Sequence, residues 1–119
     1  MNLSCHCGNV KITVNHAPET LLSCNCSICH RYGALWGYYT TEEVSITVES
    51  RPTSTYRWGD ETTDFHHCPS CGCMTHYTST EKIDDSRVAA NFRMTGHKEI
   101  ASIPIRRFDG ADTWQFIDE

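Results

Sequence analysis

The cysteines of this 119-residue chain fall into three short clusters. The clusters are Cys5 and Cys7, then Cys24, Cys26 and Cys29, and finally Cys68, Cys71 and Cys73. Cysteines two or three residues apart place neighbouring sulfurs on one metal ion, whereas disulfide scaffolds usually spread their cysteines to join distant loops. The spacing therefore favours zinc over the disulfide framework that a cysteine count alone suggests.

One four-thiolate zinc site is predicted from two knuckles that lie far apart in the chain, as in zinc ribbons. The natural pair is the C-x-C of Cys5 and Cys7 with the C-x-x-C of Cys68 and Cys71, and a glycine follows the second cysteine of each. Glycine there allows backbone N–H groups to turn toward the sulfurs. We expect this site to be structural and to stabilise the fold. Spacing alone leaves open a pairing of the first C-x-C with the second cluster.

The second predicted site has three cysteines, Cys24, Cys26 and Cys29, and Cys73 is left over. Cys73 could close a second four-thiolate site, or it could be a small buried apolar side chain that leaves the three-thiolate site open. On an extended chain Cys73 points to the same face as Cys71, which does not favour its reaching a separate ion. We favour the open site, because catalytic zinc keeps one position for water or substrate.

Composition and charge narrow the classes of partner. The formal net charge is −5, and the Lys and Arg residues form no cluster, which argues against binding to a nucleic-acid backbone. No apolar run approaches the roughly 20 residues of a membrane span, and the first residues lack the basic and apolar regions of a signal peptide. With 39% hydrophobic residues, the chain is predicted to be one cytoplasmic domain over residues 1–119 with its own core.

The elements that carry the cysteines are predicted to be β-strands, since most segments alternate with period two. One short helix is predicted from Ser27 to Tyr32, with Ser27 as its N-cap and Gly33 at its end. A hairpin across "STYRW" and "TTDFHH" is predicted to turn at Gly59 and Asp60. The result is a mainly β domain with mostly antiparallel strands. The other predicted strands are "NVKITV", "GALWGYYT", "VSITVES", "MTHYTS" and "RVAANF".

Aromatic residues on these strands are expected mainly in the core, with one or two lining a pocket beside the metal. They are Trp36, Tyr38, Tyr39, Tyr56, Trp58, Phe65 and Phe92.

Four segments resemble the glutathione-dependent formaldehyde-activating enzyme family, whose domain is shared with centromere protein V. They are "CHCGNVKITV", "CNCSICHRYGALWG", "HCPSCGC" and "RRFDGADTW", and the resemblance runs from Leu3 to about Trp114. It implies a β-tent fold built on a zinc ribbon, with two Zn²⁺ per chain. The implied structural ligands are Cys5, Cys7, Cys68 and Cys71. The implied ligands of the second, catalytic zinc are Cys24, Cys26 and Cys29.

The chemistry of a three-thiolate site agrees with that resemblance. Three thiolates donate strongly to a metal, which makes it a weak Lewis acid suited to a soft fourth ligand. A thiol bound there would lose its proton and stay nucleophilic toward an aldehyde carbon. The family's named reaction joins glutathione and formaldehyde, so the resemblance implies a carbon–sulfur lyase that acts on thiol–aldehyde adducts, with a small thiol such as glutathione as partner. Arg31 is the first candidate to bind a carboxylate of that thiol, against the alternative of an exposed surface charge, and Tyr32 could supply a hydroxyl or pack.

Two other functions stay open on the sequence. The first is a non-catalytic module in which both zincs are structural and a surface recognises another protein; closure of the second site by Cys73 would favour it. The second is a redox or metal-buffering protein, because clustered thiolates are readily oxidised. The oligomeric state is not fixed by the sequence.

Overall fold

Two β-sheets and one short helix make up most of the structure, a computed structural model that describes residues 1–83 and 85–117. The helix α1 is Ser27–Tyr32, and a 3₁₀ turn covers Phe92–Met94. The strands are β1 (Asn2–Ser4), β2 (Val10–Val14), β3 (Leu21–Cys24), β4 (Trp36–Thr40), β5 (Val44–Val48), β6 (Ser54–Tyr56), β7 (Thr63–His67), β8 (Met74–Ser79), β9 (Arg87–Asn91) and β10 (Ile105–Phe108).

The smaller sheet has three antiparallel strands in the order β1-β2-β5. Its middle strand buries Val10, Ile12 and Val14 and exposes Lys11 and Thr13, as the period-two pattern predicts. One face of this sheet therefore packs into the core while the other meets solvent.

The larger sheet has seven strands in the order β10-β3-β4-β9-β8-β7-β6. Neighbouring strands are antiparallel except β10 and β3, which run parallel with Phe108 opposite Cys24. The predicted hairpin is formed by β6 and β7, and Gly59 in its loop has a φ of 62°. An ion pair of 2.6 Å from Arg57 to Asp64 joins the end of β6 to β7.

The core consists of two clusters of buried side chains. The larger includes Leu3, Ile12, Leu21 and Phe92, and the smaller includes Cys29, Trp36, Phe65 and Met74. Phe92 approaches β4 so closely that position 37 must be glycine, because a Cβ on Gly37 would overlap the Phe92 ring. The smaller cluster lies under α1 and supports the second group of cysteines.

The predicted fold class is confirmed: the chain is mainly β, with mostly antiparallel strands and one short α-helix in the described residues. The cysteine-bearing turns after β1 and β7 are consistent with a zinc ribbon. Among the residues that the structure describes, no helix is long and apolar enough to cross a membrane.

The predicted N-cap of α1 was wrong. The helix does begin at Ser27, but the cap is Cys26, whose backbone is extended (φ −60°, ψ 163°) and whose thiol accepts a hydrogen bond from the Cys29 N–H. A sulfur takes the place that a hydroxyl or carboxylate oxygen usually fills at this position. The predicted end is confirmed, because Gly33 has a left-handed φ of 63° and donates its N–H to the carbonyls of Cys29 and His30.

The expectation that the strand aromatics are core residues was right for some and wrong for others. Trp36, Tyr39, Phe65 and Phe92 are buried, whereas Tyr38, Tyr56 and Trp58 are exposed. Tyr38 projects from the face of β4 opposite to that of Tyr39, and Tyr56 and Trp58 lie on and beyond the edge strand β6. An edge strand has a neighbour on one side only, which leaves its side chains less covered.

Candidate metal centres and the adjoining pocket

The first cysteine cluster is formed by Cys5, Cys7, Cys68 and Cys71, whose sulfurs all lie within 4.8 Å of one another. The Sγ of Cys7 lies 3.7 Å from that of Cys5 and 3.6 Å from that of Cys68. Four sulfurs at about 2.3 Å from a tetrahedral zinc stand about 3.8 Å apart, so the observed spacing fits one ion. Of the two pairings that spacing left open, the structure brings together the first C-x-C and the C-x-x-C.

Backbone N–H groups surround the sulfurs of this cluster. Both knuckles turn at a glycine with positive φ, 85° at Gly8 and 80° at Gly72, a conformation that other residues rarely adopt. The Val10 N–H donates to the Cys5 sulfur at 3.2 Å. Burial raises the pKa of the Cys71 thiol, but hydrogen bonds from the backbone N–H groups of Cys73 and Cys7 outweigh it and lower the pKa to about 5. The Cys71 sulfur is therefore arranged to carry negative charge, as a ligand of a cation does.

Cys73 lies beside this first cluster and not at the second. Its sulfur accepts a hydrogen bond of 3.4 Å from the His6 N–H, and its carbonyl accepts one of 2.9 Å from the Cys68 N–H. Within residues 1–83 and 85–117, the second cluster contains three cysteines and no fourth ligand of that type. The placement agrees with the expectation that Cys73 follows the direction of Cys71.

The second cluster is formed by Cys24, Cys26 and Cys29, again with all sulfurs within 4.8 Å of one another. Cys24 ends β3, Cys26 caps α1 and Cys29 lies in its first turn, so a strand-to-helix junction directs the three thiols to one point. The Cys26 N–H donates to Cys24 Sγ at 3.5 Å, and the Cys29 N–H donates to Cys26 Sγ at 3.4 Å. The donor set, three soft thiolates, is one that Zn²⁺ accepts in proteins.

The ionisation of the three thiols is uneven. Burial raises the pKa of Cys29 far above its ordinary value and also raises that of Cys24. Burial acts on Cys26 in the same direction, but hydrogen bonds from the Cys29 N–H and from the neighbouring thiols outweigh it and lower the pKa of Cys26. The cap sulfur is thus the one most easily converted to a thiolate.

The loop that follows β10 packs against this second cluster. The side chain of Asn25, which lies between Cys24 and Cys26, forms two hydrogen bonds with this loop. The Asn25 amide donates to Asp109 Oδ1 at 3.0 Å, and its carbonyl oxygen accepts from the Ala111 N–H at 3.0 Å. The Asn25 backbone N–H also donates to the Phe108 carbonyl at 3.2 Å. These contacts hold the loop against the cysteines.

Gly110 is the point of closest approach of this loop. Its backbone N–H bonds to the Cys24 sulfur, and a Cβ at this position would stand 2.6 Å from Cys24 Sγ and 3.2 Å from Cys26 Cβ. Neither Asn25 nor Gly110 was singled out as a site residue from the sequence. The available signal was the "FDGAD" stretch within the C-terminal resemblance, which gave no indication of contact with the cysteines.

A pocket of about 830 Å³ opens beside the second cluster, and all three of its cysteines line the wall. Of the described residues in the lining, two are charged, Asp60 and Arg87. The aromatic residues of the lining are Tyr38, Trp58, Phe65, Tyr77, Phe108 and Trp114. The pocket is therefore largely aromatic, with three sulfurs at one side and few charges.

Two tyrosine hydroxyls face each other on the wall of this pocket. The Tyr77 hydroxyl donates to the Tyr38 hydroxyl at 3.1 Å. Although Tyr38 is 41% exposed, desolvation of its hydroxyl raises its pKa above the ordinary value, with Tyr77 as the next contribution, and burial raises the pKa of Tyr77. The Arg87 guanidinium lies 5.8 Å from the centre of the Tyr38 ring. Both hydroxyls therefore stay protonated near neutral pH and can donate hydrogen bonds.

Arg31 and Tyr32, the two candidates that the sequence offered for substrate contact, lie elsewhere on α1. The Arg31 Nη1 donates to the Ser27 carbonyl at 2.8 Å on the exposed face of the helix, and Arg31 lines two neighbouring depressions, not the cysteine pocket. The Tyr32 hydroxyl is 2.9 Å from His67 Nε2, and its ring packs on Phe65. The role of Arg31 in binding stays a prediction, and Arg87 is the cation that lines the pocket.

Comparison with known proteins places this geometry in a family. Residues 1–102 match the model of the family described as "Glutathione-dependent formaldehyde-activating enzyme". The fold is similar to the crystal structure of a Rhodobacter sphaeroides protein, with a TM-score of 0.70, 22% identity, and coverage of 88% of this chain and 99% of that chain. None of the curated proteins matches. Since the matched segment spans most of the chain and both cysteine clusters, this protein belongs to the glutathione-dependent formaldehyde-activating enzyme family.

Proposed function

We propose that this protein is a zinc-dependent enzyme that joins a thiol to an aldehyde or splits the resulting adduct, a carbon–sulfur lyase of the type that the family name describes. The observation that carries the proposal is the contrast between the two clusters. Four sulfurs suit a closed structural site, whereas three sulfurs in the wall of a pocket suit a site with one position left for a substrate.

In this proposal the chain holds two Zn²⁺. The structural ion is held by Cys5, Cys7, Cys68 and Cys71. The catalytic ion is held by Cys24, Cys26 and Cys29. When bound there, zinc supplies a positive charge that lets a substrate thiol lose its proton near neutral pH.

The bond changes are those of a simple addition. The substrate sulfur forms a bond to the aldehyde carbon, the C=O double bond opens, and the proton given up by the thiol ends on the former carbonyl oxygen. Negative charge develops on that oxygen as the bond forms, and hydrogen-bond donors placed beside it stabilise the transition state. The paired hydroxyls of Tyr38 and Tyr77 line the same pocket as the cysteines and are suited to this role.

Arg87 is proposed to bind an anionic group of the thiol. In the residues that the structure describes, no carboxylate forms an ion pair with its guanidinium, and it lines the pocket with the three cysteines. Glutathione, which carries two carboxylates, is the thiol that the family name suggests, and formaldehyde is the corresponding aldehyde.

All eight cysteines are free, which supports a reducing compartment such as the cytoplasm.

The runner-up function is a protein-interaction module with two structural zincs. That function needs a fourth ligand at Cys24, Cys26 and Cys29, and Cys73, the cysteine that could have served, stands at the first cluster. The placement supports the enzyme over the module.

Cobalt substitution tests the proposal directly. A thiol that enters the coordination of Co²⁺ at the second cluster changes its visible absorption, and binding should release about one proton per site. We expect 2-mercaptoethanol to change the spectrum of the wild-type protein, with tighter binding as pH rises toward the pKa of this thiol. A spectrum that no thiol alters between pH 6 and 9 would show that the second cluster is closed.

A further inference from the structure

Three of the aromatic side chains around the cysteine pocket are exposed to solvent. Tyr38 is 41% exposed, Trp58 is 48% exposed and Trp114 is 70% exposed. All three line the pocket that contains Cys24, Cys26 and Cys29. Single exposed apolar side chains are ordinary on protein surfaces, but several around one concave site mark a surface that a ligand covers.

The backbone of Trp114 has an unfavourable conformation, and burial of its side chain does not account for it. Its φ is 59°, in the left-handed region that bulky residues seldom adopt. A hydrogen bond of 2.8 Å from its N–H to the Asp109 carbonyl closes the loop, and its ring meets the edge of Phe108 at 5.0 Å. Because the side chain stays mostly exposed, burial in the free protein does not offset this strain. Backbone strain of this kind collects at ligand-binding sites.

The size and polarity of the pocket indicate what covers these rings. A volume of about 830 Å³ is far larger than formaldehyde needs and falls in the range of drug-sized ligands. Among the residues that the structure describes, Asp60 and Arg87 are the charged ones in its lining. A thiol as polar as glutathione, enclosed entirely here, would place most of its polar groups against aromatic walls, which is costly without hydrogen-bond partners.

We propose, on the basis of the function proposed above, that the thiol–aldehyde adduct handled by this protein carries an aromatic ring. The ring lies against Trp58 and Trp114 while the sulfur stands at Cys24, Cys26 and Cys29. The bond changes are the addition already described. The ring can come from the thiol or from the aldehyde, and the two sources are separable by experiment.

Two pairs of ligands, each matched except for a ring, test the two sources on the zinc-loaded protein by titration calorimetry. The comparison of phenylmethanethiol with ethanethiol tests whether the ring belongs to the thiol. The comparison of S-benzylglutathione with S-methylglutathione, two stable analogues of an adduct, tests whether the ring belongs to the aldehyde. We expect a Kd about tenfold lower for the ring-bearing member of at least one pair, as aromatic contacts of ordinary strength give.

Variants locate the ring on the proposed walls. Trp114→Ala and Trp58→Ala should each reduce the advantage of the ring-bearing ligand to about threefold while leaving the ring-free ligand unchanged. Tyr56→Ala is the matched control, since Tyr56 is an aromatic residue, 51% exposed, that does not line this pocket. Both tryptophans are largely exposed, so their removal should leave the fold intact, which the circular dichroism spectrum checks.

The outcomes distinguish a failure of this inference from a failure of the proposed enzyme function. Equal affinities within both pairs, or a ring advantage that survives unchanged in both tryptophan variants, would overturn the inference, and binding of the two thiols with proton release would still support the enzyme. If neither thiol binds but S-benzylglutathione binds more tightly than S-methylglutathione, the aromatic site stands and the open metal site is wrong.

Discussion

Gly110 lies against the thiol of Cys24, although the two residues belong to different ends of the chain. A side chain as small as a methyl group at position 110 would stand 2.6 Å from the Cys24 sulfur. The second cluster is therefore positioned from two directions, by the junction of β3 with α1 and by the loop after β10. In metal sites generally, mutation of the groups that orient the ligands costs about 10- to 100-fold in metal affinity.

Gly110→Ala should weaken zinc binding at the second cluster by about tenfold and leave the first cluster unchanged. The reason is that the added Cβ must displace the Cys24 sulfur or the Cys26 Cβ, and both atoms belong to proposed zinc ligands. Competition with a chromophoric chelator, which resolves the two classes of site, measures the change. Gly96→Ala is the control, because the nearest atoms to its Cβ belong to the flexible end of Glu99. Equal affinities in wild type and Gly110→Ala would show that the loop does not position the site.

Cys68→Ser should damage folding more than Cys26→Ser. The four-sulfur cluster ties the turn after β1 to the turn after β7, and a structural zinc contributes folding free energy outright. We expect Tm to fall by more than about 10 °C for Cys68→Ser and by much less for Cys26→Ser. Thermal unfolding followed by circular dichroism decides the matter. Similar losses in the two variants would contradict the division into a structural and a catalytic site.

Cys73→Ala should keep close to two zincs per chain. Its sulfur stands beside a cluster that already has four cysteines, and within residues 1–83 and 85–117 it is not part of the second cluster. Metal analysis of the purified, folded variant by mass spectrometry gives the count. A loss of about one zinc would mean that Cys73 is a ligand.

Arg87→Ala should weaken the binding of an anionic thiol more than Arg31→Ala. The two arginines form a natural matched pair, since one lines the cysteine pocket and the other lies on the outer face of α1. For 3-mercaptopropionate we expect Kd to rise about threefold in Arg87→Ala, the size typical of an exposed charge pair, with 2-mercaptoethanol unaffected. The opposite ranking of the two variants would restore Arg31 as the residue that binds the carboxylate.

His76 should make the free energy of unfolding smaller in acid. Burial lowers the pKa of His76 to about 3, with the neighbouring His66 as a second contribution, so the folded protein keeps this ring neutral. The unfolded chain binds a proton near pH 6.5, and the free energy of unfolding therefore falls as pH drops from about 6.5 toward 3. Relative to His76→Gln, the wild type should lose about 1.4 kcal/mol more per pH unit in this window. Denaturant titrations at pH 6.5 and 5 measure the slopes, with zinc content checked at each pH, and equal slopes would refute the assignment.

Local patterns were enough to predict most of the fold. Strict alternation predicted β2 and β5, because a half-buried strand has period two whatever lies beside it. The cysteine clusters were equally local signals, but spacing left open which two knuckles share an ion, and the structure brings the first C-x-C to the C-x-x-C. These predictions depended on residues within a few positions of one another, where sequence carries most of its information.

The features that were missed depend on contacts across long stretches of chain. The strands β1, β3 and β10 have three or four residues each, too few to show a period. The parallel pairing of β10 with β3, and with it the contact of Gly110 with the second cluster, arises from tertiary structure. The exposure of Trp58 was also missed, because composition suggests burial for any tryptophan on a strand.

The hydrogen bond between Asn25 and Asp109 forms late while the chain is being synthesised. The three cysteines of the second cluster leave the ribosome within a few residues of one another, but this hydrogen bond joins residues 84 positions apart. Domains begin to form as their N-terminal parts emerge, so this cluster stays uncovered until almost the whole described chain has been synthesised. The first cluster spans a shorter interval, since Cys7 and Cys68 are 61 positions apart. Metal can thus enter both clusters of the nascent protein before the last strand closes the wall of the pocket.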